Sequence, residues 1–171
     1  MCIRDSNWDE LKFFVSQEAG PFVLKFPFLA EKFEVGQKVK VEWDVANTDK
    51  APVNCKKVNI FLSVNDQLRT GHPNLVPLAY NVENDGEELV ILPNYVSNKA
   101  RIVIKAADNI FLTTGAYPSV ISPATKPSFF MQSLDNQREA CLPTSLSFEF
   151  ETEALGGLTE PIQFEVVSGL P

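Results

Sequence analysis

Residues 36–62 read GQKVKVEWDVANTDKAPVNCKKVNIFL, and this stretch decides the fold class. Apolar residues alternate with charged ones from Val39 to Val45, so one face of a strand carries Trp43 with the valines and the other carries the charges. The Asn-, Asp- and Pro-containing segment that comes next is typical of a turn, and a second apolar strand begins at Val58. The stretch therefore predicts two neighbouring strands of a β-sandwich, with Trp43 in the core.

The composition favours an all-β protein. The chain has 171 residues, of which 44% are hydrophobic and 11% aromatic, and this is ample for a packed core. Its 13 Phe, 12 Pro and 8 Gly against 2 Met suit short strands joined by turns better than long helices. The net charge of −7 argues against nucleic acid or an anionic membrane surface as a partner. No apolar run approaches the ~18 residues of a spanning helix, so no membrane span is predicted.

Apolar patterns of the same kind predict further strands on both sides of the opening stretch. The predicted strands cover residues 11–16, 22–28, 39–45, 58–64, 75–80, 88–92, 100–105 and 109–113. From residue 22 onward these are about seven strands, the number typical of a β-sandwich of roughly a hundred residues. Asp85-Gly86 predicts a hairpin turn, because this dipeptide accepts the positive φ angles that a primed turn needs.

Prolines at 118, 123 and 127 predict a boundary after these strands. Beyond it, strands are predicted at 126–133, 146–150 and 162–167, too few to close a second sandwich. The predicted division is a tail of a preceding module at 1–18, a β-sandwich at 19–117, a linker at 118–125 and an incomplete second β-sandwich at 126–171. Residues 1–6 resemble the adapter-derived starts of metagenomic reading frames, so Met1 is not expected to be a native start.

Several short motifs in order carry a family resemblance. They are Ala-Gly-Pro-Phe at 19–22, the Trp43 strand at 41–45, Ala-Pro-Val-Asn-Cys at 51–55, and the segments 58–63, 84–86, 100–102 and 109–111. Together they resemble the immunoglobulin-like β-sandwich modules that follow the catalytic domain in secreted bacterial reprolysin-like zinc metallopeptidases and related surface proteins. The resemblance covers about residues 19–113, while 11–16 resembles the last strand of a preceding module and 126–171 the opening half of a following one.

The resemblance implies a non-catalytic structural or interaction module of a secreted or cell-surface bacterial protein. Its partners would be an upstream catalytic domain of the same chain and further β modules. Many family members carry a cysteine shortly before the strand at 109–111, where this chain has Lys-Ala-Ala-Asp at 105–108. Cys55 is therefore expected to be unpaired within its module. The loop after Leu62 also departs from the family's frequent Gly-Gly turn, which weakens any expectation of a binding function there.

No catalytic or cofactor site is predicted. A zinc peptidase needs two histidines one helical turn apart, and the only histidine, His72, lies in a predicted loop. Ser-His-Asp chemistry lacks a Gly-x-Ser-x-Gly elbow. The three cysteines, Cys2, Cys55 and Cys141, have no Cys-x-x-Cys spacing, so neither a zinc site nor a dense disulfide framework is indicated. The fragment is thus not expected to be an enzyme.

Calcium is the alternative with some support in the sequence. Glu83, Asp85 and Glu87 crowd the predicted turn, with Glu88 beside them, and Asp44 and Asp49 flank another loop. The spacing matches no defined calcium loop, so a solvated acidic turn is the favoured interpretation. The rival function is a carbohydrate- or calcium-dependent adhesive module of a cell-surface protein, with an extracellular protein or glycan as ligand. Tyr80, Tyr95 and Tyr117, a candidate sugar platform, do not fall in one stripe.

Overall fold

The computed structural model describes residues 12–65, 75–133, 147 and 149–165, and this part of the chain is all-β, as predicted. It contains eleven strands and no helix. The strands are β1 (Val23–Phe26), β2 (Lys32–Glu34), β3 (Lys38–Asp44), β4 (Lys57–Ser63), β5 (Leu75–Glu83), β6 (Glu87–Ile91), β7 (Ser97–Ala106), β8 (Leu112–Thr114), β9 (Ser119–Ser122), β10 (Ser128–Ser133) and β11 (Phe150–Leu155).

Two sheets account for the first nine strands. One has the order β1-β3-β6, and the other the order β2-β9-β7-β4-β5. Both β8 and β9 pair with β7, β8 opposite residues 103–105 and β9 opposite Ser97 and Ala100, so they continue one another along the same edge. The pairing of β2 with β9 is parallel, whereas the other strand pairs are antiparallel.

The inner faces of these two sheets form a single core. Alternate residues of β3 (Val39, Val41 and Trp43) are buried from one side, and Val58, Ile60 and Leu62 of β4 are buried from the other. The period-two pattern thus places one face of each strand in the core and the other in solvent. Two sheets that share a core in this way form a β-sandwich, and the predicted burial of Trp43, which is 2% exposed, is confirmed.

The predicted hairpin at Asp85-Gly86 is wrong. β5 and β6 belong to different sheets, so residues 84–86 carry the chain across the sandwich. Gly86 has a φ of +107°, and its carbonyl accepts a 2.9 Å hydrogen bond from the Trp43 amide. The positive φ that predicted a hairpin is therefore real, but here it serves a corner between sheets.

Two further corrections concern the sandwich. Residues 12–16 form no strand, although their apolar run predicted one. Residues 119–122, inside the predicted linker 118–125, form β9, which extends the larger sheet. Backbone pairing of Ser119 and Ile121 with β7, rather than local composition, decides this strand. β2 was not predicted because its three residues are too short for a periodic pattern.

The antiparallel pair β10 and β11 lies beyond the sandwich. Its register places Ser128 opposite Leu155 and Phe130 opposite Glu153, so these four residues share one face. Leu155 and Phe130 pack on the sandwich core, while Phe129, Met131 and Phe150 on the other face are exposed. Of the predicted strand 146–150, Phe150 begins β11 and residues 146 and 148 lie outside the described part. Residues 162–165 form no strand.

Candidate functional sites

A buried hydrogen-bond network closes one end of the sandwich. The Trp43 indole Nε1 donates to Asn84 Oδ1 at 2.9 Å, and Asn84 Nδ2 donates to both Thr48 Oγ1 and the Cys55 carbonyl oxygen, each at 2.9 Å. Thr48 and Asn84 are only 4% and 5% exposed. One side-chain amide thus holds the end of β3, the β3–β4 loop and the corner before β6 together.

We call Trp43, Thr48, Cys55 and Asn84 the loop network. Hydrogen bonds also hold the backbone around it in place. Thr48 Oγ1 donates to the Val45 carbonyl at 2.7 Å, and the Cys55 amide donates to the Thr48 carbonyl at 2.8 Å. The Asn84 amide donates to the Lys56 carbonyl at 2.8 Å. Because these polar groups bond to one another, the network stabilises the loops and leaves little hydrogen-bonding capacity for a ligand.

Sequence reasoning missed the role of Asn84. Asn-Asp-Gly is a common turn signal, and nothing in the local pattern distinguishes an exposed turn asparagine from a buried one. A usable signal would have been Trp43 itself, since a buried indole N–H needs an acceptor.

Cys55 is a free thiol within this network. Its side chain is buried, and Sγ donates to the Lys57 carbonyl at 3.3 Å. A buried thiol with an internal partner behaves as a small core residue. Cys2 and Cys141 lie outside the described residues.

An acidic cleft lies beside the loop network. It has a volume of about 400 Å³, and its lining includes Asp44, Asp49 and Asp85. Asp44 Oδ1 accepts a 3.0 Å hydrogen bond from the Ala46 amide, and Oδ2 lies 3.2 Å from Lys25 Nζ. The Ala46 amide, together with the Lys25 ammonium, lowers the pKa of Asp44 below its ordinary value.

The structure does not bring the calcium candidates together. Glu83 forms an ion pair with Lys57 at 3.5 Å and Glu87 one with Lys40 at 2.6 Å, while Asp85 Oδ1 accepts a 3.3 Å hydrogen bond from the Glu87 amide. Within the described residues, no group of three or more His, Cys, Asp or Glu side chains is arranged to hold a metal ion. These acidic residues therefore form exposed ion pairs and a turn contact.

A larger cleft of about 530 Å³ lies at the opposite end of the sandwich, next to the β10–β11 pair. Its lining includes Lys32, Glu34, Gly36, Lys126 and Ser128. Glu34 Oε2 accepts hydrogen bonds from the Thr125 amide at 3.4 Å and the Thr125 hydroxyl at 3.0 Å. The cleft thus marks the seam between the sandwich and the strand pair.

The three tyrosines considered as a sugar platform belong to separate segments. Tyr80 lies on β5 and packs edge to face on Phe61, with 5.7 Å between the ring centroids. Tyr95 follows β6 and Tyr117 follows β8, and both are exposed. The lone histidine, His72, lies outside the described residues.

Comparison of the chain with family models, curated proteins and solved structures finds no match. No helix long and apolar enough to cross a membrane occurs among the residues that the structure describes.

Proposed function

We propose that this chain is a non-catalytic, immunoglobulin-like structural or interaction module of a secreted multidomain bacterial protein. The observation that carries the proposal is the strand topology. Consecutive strands β3 and β4 lie in different sheets, as do β5 and β6 and then β6 and β7. Repeated crossing between a three-stranded and a larger sheet is the connectivity of Greek-key sandwiches such as immunoglobulin domains.

The use of the buried polar groups supports a structural role. Trp43, Thr48, Asn84 and Cys55 of the loop network each bond to a protein partner. The Ser63 hydroxyl on β4 has no hydrogen-bond partner among the described residues, but Ser63 is 0% exposed and so cannot meet a substrate. A catalytic centre in contrast keeps polar groups free to meet a substrate. The hydrogen bonds of the loop network therefore serve to hold the loops in place.

The proposed parent, a zinc metallopeptidase with its catalytic domain upstream, rests on the motif resemblance over residues 19–113. Genomic sequence upstream of residue 1 tests it. We expect a His-Glu-x-x-His-x-x-Gly-x-x-His stretch there, and an adhesin-like array without it would favour the rival function.

The acidic cleft is where the rival, a calcium-dependent adhesive module, can be tested. Asp44, Asp49 and Asp85 line it together with Lys50, but within the described residues these carboxylates are not grouped to hold a metal ion. Thermal unfolding with and without millimolar calcium separates the two functions. A structural module should show no shift in melting temperature, whereas a stabilisation that disappears in the Asp49→Asn, Asp85→Asn double variant would support the rival. Incubation with peptide substrates and zinc should give no hydrolysis.

A further inference from the structure

The β10–β11 pair contacts the sandwich through its core and not only through its surface. Leu155 is 4% exposed and belongs to the same contiguous core as Trp43 and Val39. Phe130, on the same face of the pair, and Ala124, in the segment before β10, pack against that core as well. The end of β11 therefore plugs the sandwich.

Gly36 leaves room for the Leu155 side chain at this end of the sandwich. A Cβ atom placed on Gly36 would lie 3.0 Å from Leu155 Cδ1 and 3.6 Å from Ser128 Oγ. Gly36 also has a φ of +80°, a conformation that side chains disfavour. Its amide donates to the Leu92 carbonyl at 2.8 Å, which fixes the turn before β3 against the end of β6.

Polar contacts hold the pair at two other points. Asn94, in the loop after β6, donates from Nδ2 to Glu153 Oε1 at 2.5 Å. On the other side of the seam, Thr125 bonds to Glu34 at the end of β2. These contacts reach the pair and its connecting segment from two segments of the sandwich, the end of β2 with its following turn (Glu34 and Gly36) and the loop after β6 (Asn94).

We propose that the β10–β11 pair is a fixed joint that holds the chain beyond the sandwich at one set orientation. The joint takes the place of the linker predicted at 118–125, because β9 occupies half of that segment and Leu155 packs the strand pair against the core. Its use, to orient neighbouring modules, rests on the proposed structural function.

The test is a distance distribution between two spin labels. One label replaces Lys105, exposed on β7, and the other replaces Thr152, exposed on β11. The background is Cys2→Ser, Cys55→Ala, Cys141→Ser, so that only the introduced cysteines react. Pulsed electron paramagnetic resonance should give one narrow distribution for this protein. A broad or multiple distribution would overturn the proposal.

Leu155→Ala should broaden the distance distribution, since it removes the side chain that packs beside Gly36. It should also lower the melting temperature of the sandwich by on the order of 5–15 °C, followed by Trp43 fluorescence in a Trp8→Phe background. Phe129→Ala, on the exposed face of the same pair, is the matched control and should change neither measurement. Equal effects of the two variants would contradict the joint.

If Leu155→Ala does not fold, Leu155→Val gives the same comparison with a smaller change in volume. The fixed joint and the proposed function can be contradicted independently of one another. Peptide hydrolysis or calcium binding would overturn the function and leave the distance distribution narrow, whereas a broad distribution would overturn the joint and leave the function untouched.

Discussion

The two ends of the sandwich are closed by different physical means. The loop network closes one end with hydrogen bonds that join Trp43 to Asn84, 41 residues later in the chain. At the other end, Leu155 fills a space beside Gly36. Hydrogen bonds demand a particular partner in a particular direction, whereas an apolar plug demands only matching volume. The first end should therefore be sensitive to changes of chemistry and the second to changes of size.

Trp43→Ala should have the largest effect, because Trp43 belongs both to the core and to the loop network. We expect a loss of about 3–5 kcal/mol in the free energy of unfolding, as for other large-to-small changes in a core. Urea unfolding followed by circular dichroism measures it. Tyr117→Ala, at an exposed aromatic residue, is the control, and a loss below about 1 kcal/mol at Trp43 would contradict the core position assigned to it.

Gly36→Ala tests the size-sensitive end, with Gly157→Ala as its matched control. Both glycines have positive φ, +80° and +76°, but a Cβ on Gly157 would meet nothing within 4 Å. Strain alone should cost about 1–2 kcal/mol at Gly157. Overpacking against Leu155 should bring the loss at Gly36 to about 2–4 kcal/mol.

A double-mutant cycle sharpens this test. In a Leu155→Ala background, the extra cost of Gly36→Ala over Gly157→Ala should disappear, because the side chain that would clash has been removed. An unchanged extra cost would show that Gly36 is needed for another reason.

Asn84→Ala tests the chemistry-sensitive end. It leaves the Trp43 indole N–H and the Cys55 carbonyl without their partner, so we expect a loss of about 1–3 kcal/mol in unfolding free energy. Asn94→Ala, which removes one exposed hydrogen bond at the opposite end, should cost less than about 1 kcal/mol. Equal losses in chemical unfolding would remove the distinction between the two ends.

The smallest expected effect is a pH dependence at Asp44. Its pKa is lowered in the folded state, chiefly by the Ala46 amide and then by Lys25, so its contribution is complete at neutral pH and is lost as the pH falls through the carboxyl range toward the lowered value. Asp44→Asn should reduce the fall in melting temperature between pH 7 and pH 3. Lys25→Met leaves the hydrogen bond from the Ala46 amide to Asp44 in place, so it should reduce this fall in melting temperature less.

The alternation around Trp43 was enough to predict β3, β4 and the burial between them, because a period of two is set by the backbone itself. It was not enough for β2 and β9. Each has three or four residues, and each exists through pairing with a strand far along the chain. The same limit explains the missed joint, since the contact of Leu155 with Gly36 depends on where two distant segments meet.

The candidate sites show a second limit. Glu83, Asp85 and Glu87 are close in sequence, yet β5 and β6 lie in different sheets, so Glu83 pairs with Lys57 and Glu87 with Lys40. Asn84, which lies among them in the chain, is the residue that is buried and joins the loop network, because the chain crosses between sheets at this point. Composition predicts a charged turn but not which of its residues points inward.

The parallel pairing of β2 with β9 has a mechanical consequence. A pull on the N-terminal side draws β2 toward Lys32 once β1 is released, and a pull on the C-terminal side draws β9 toward Ser122 once Leu155 is released from the core. Because the two strands run in the same direction, these forces slide them past one another and load their hydrogen bonds together instead of opening them one at a time. Under tension this edge of the sandwich resists as a unit.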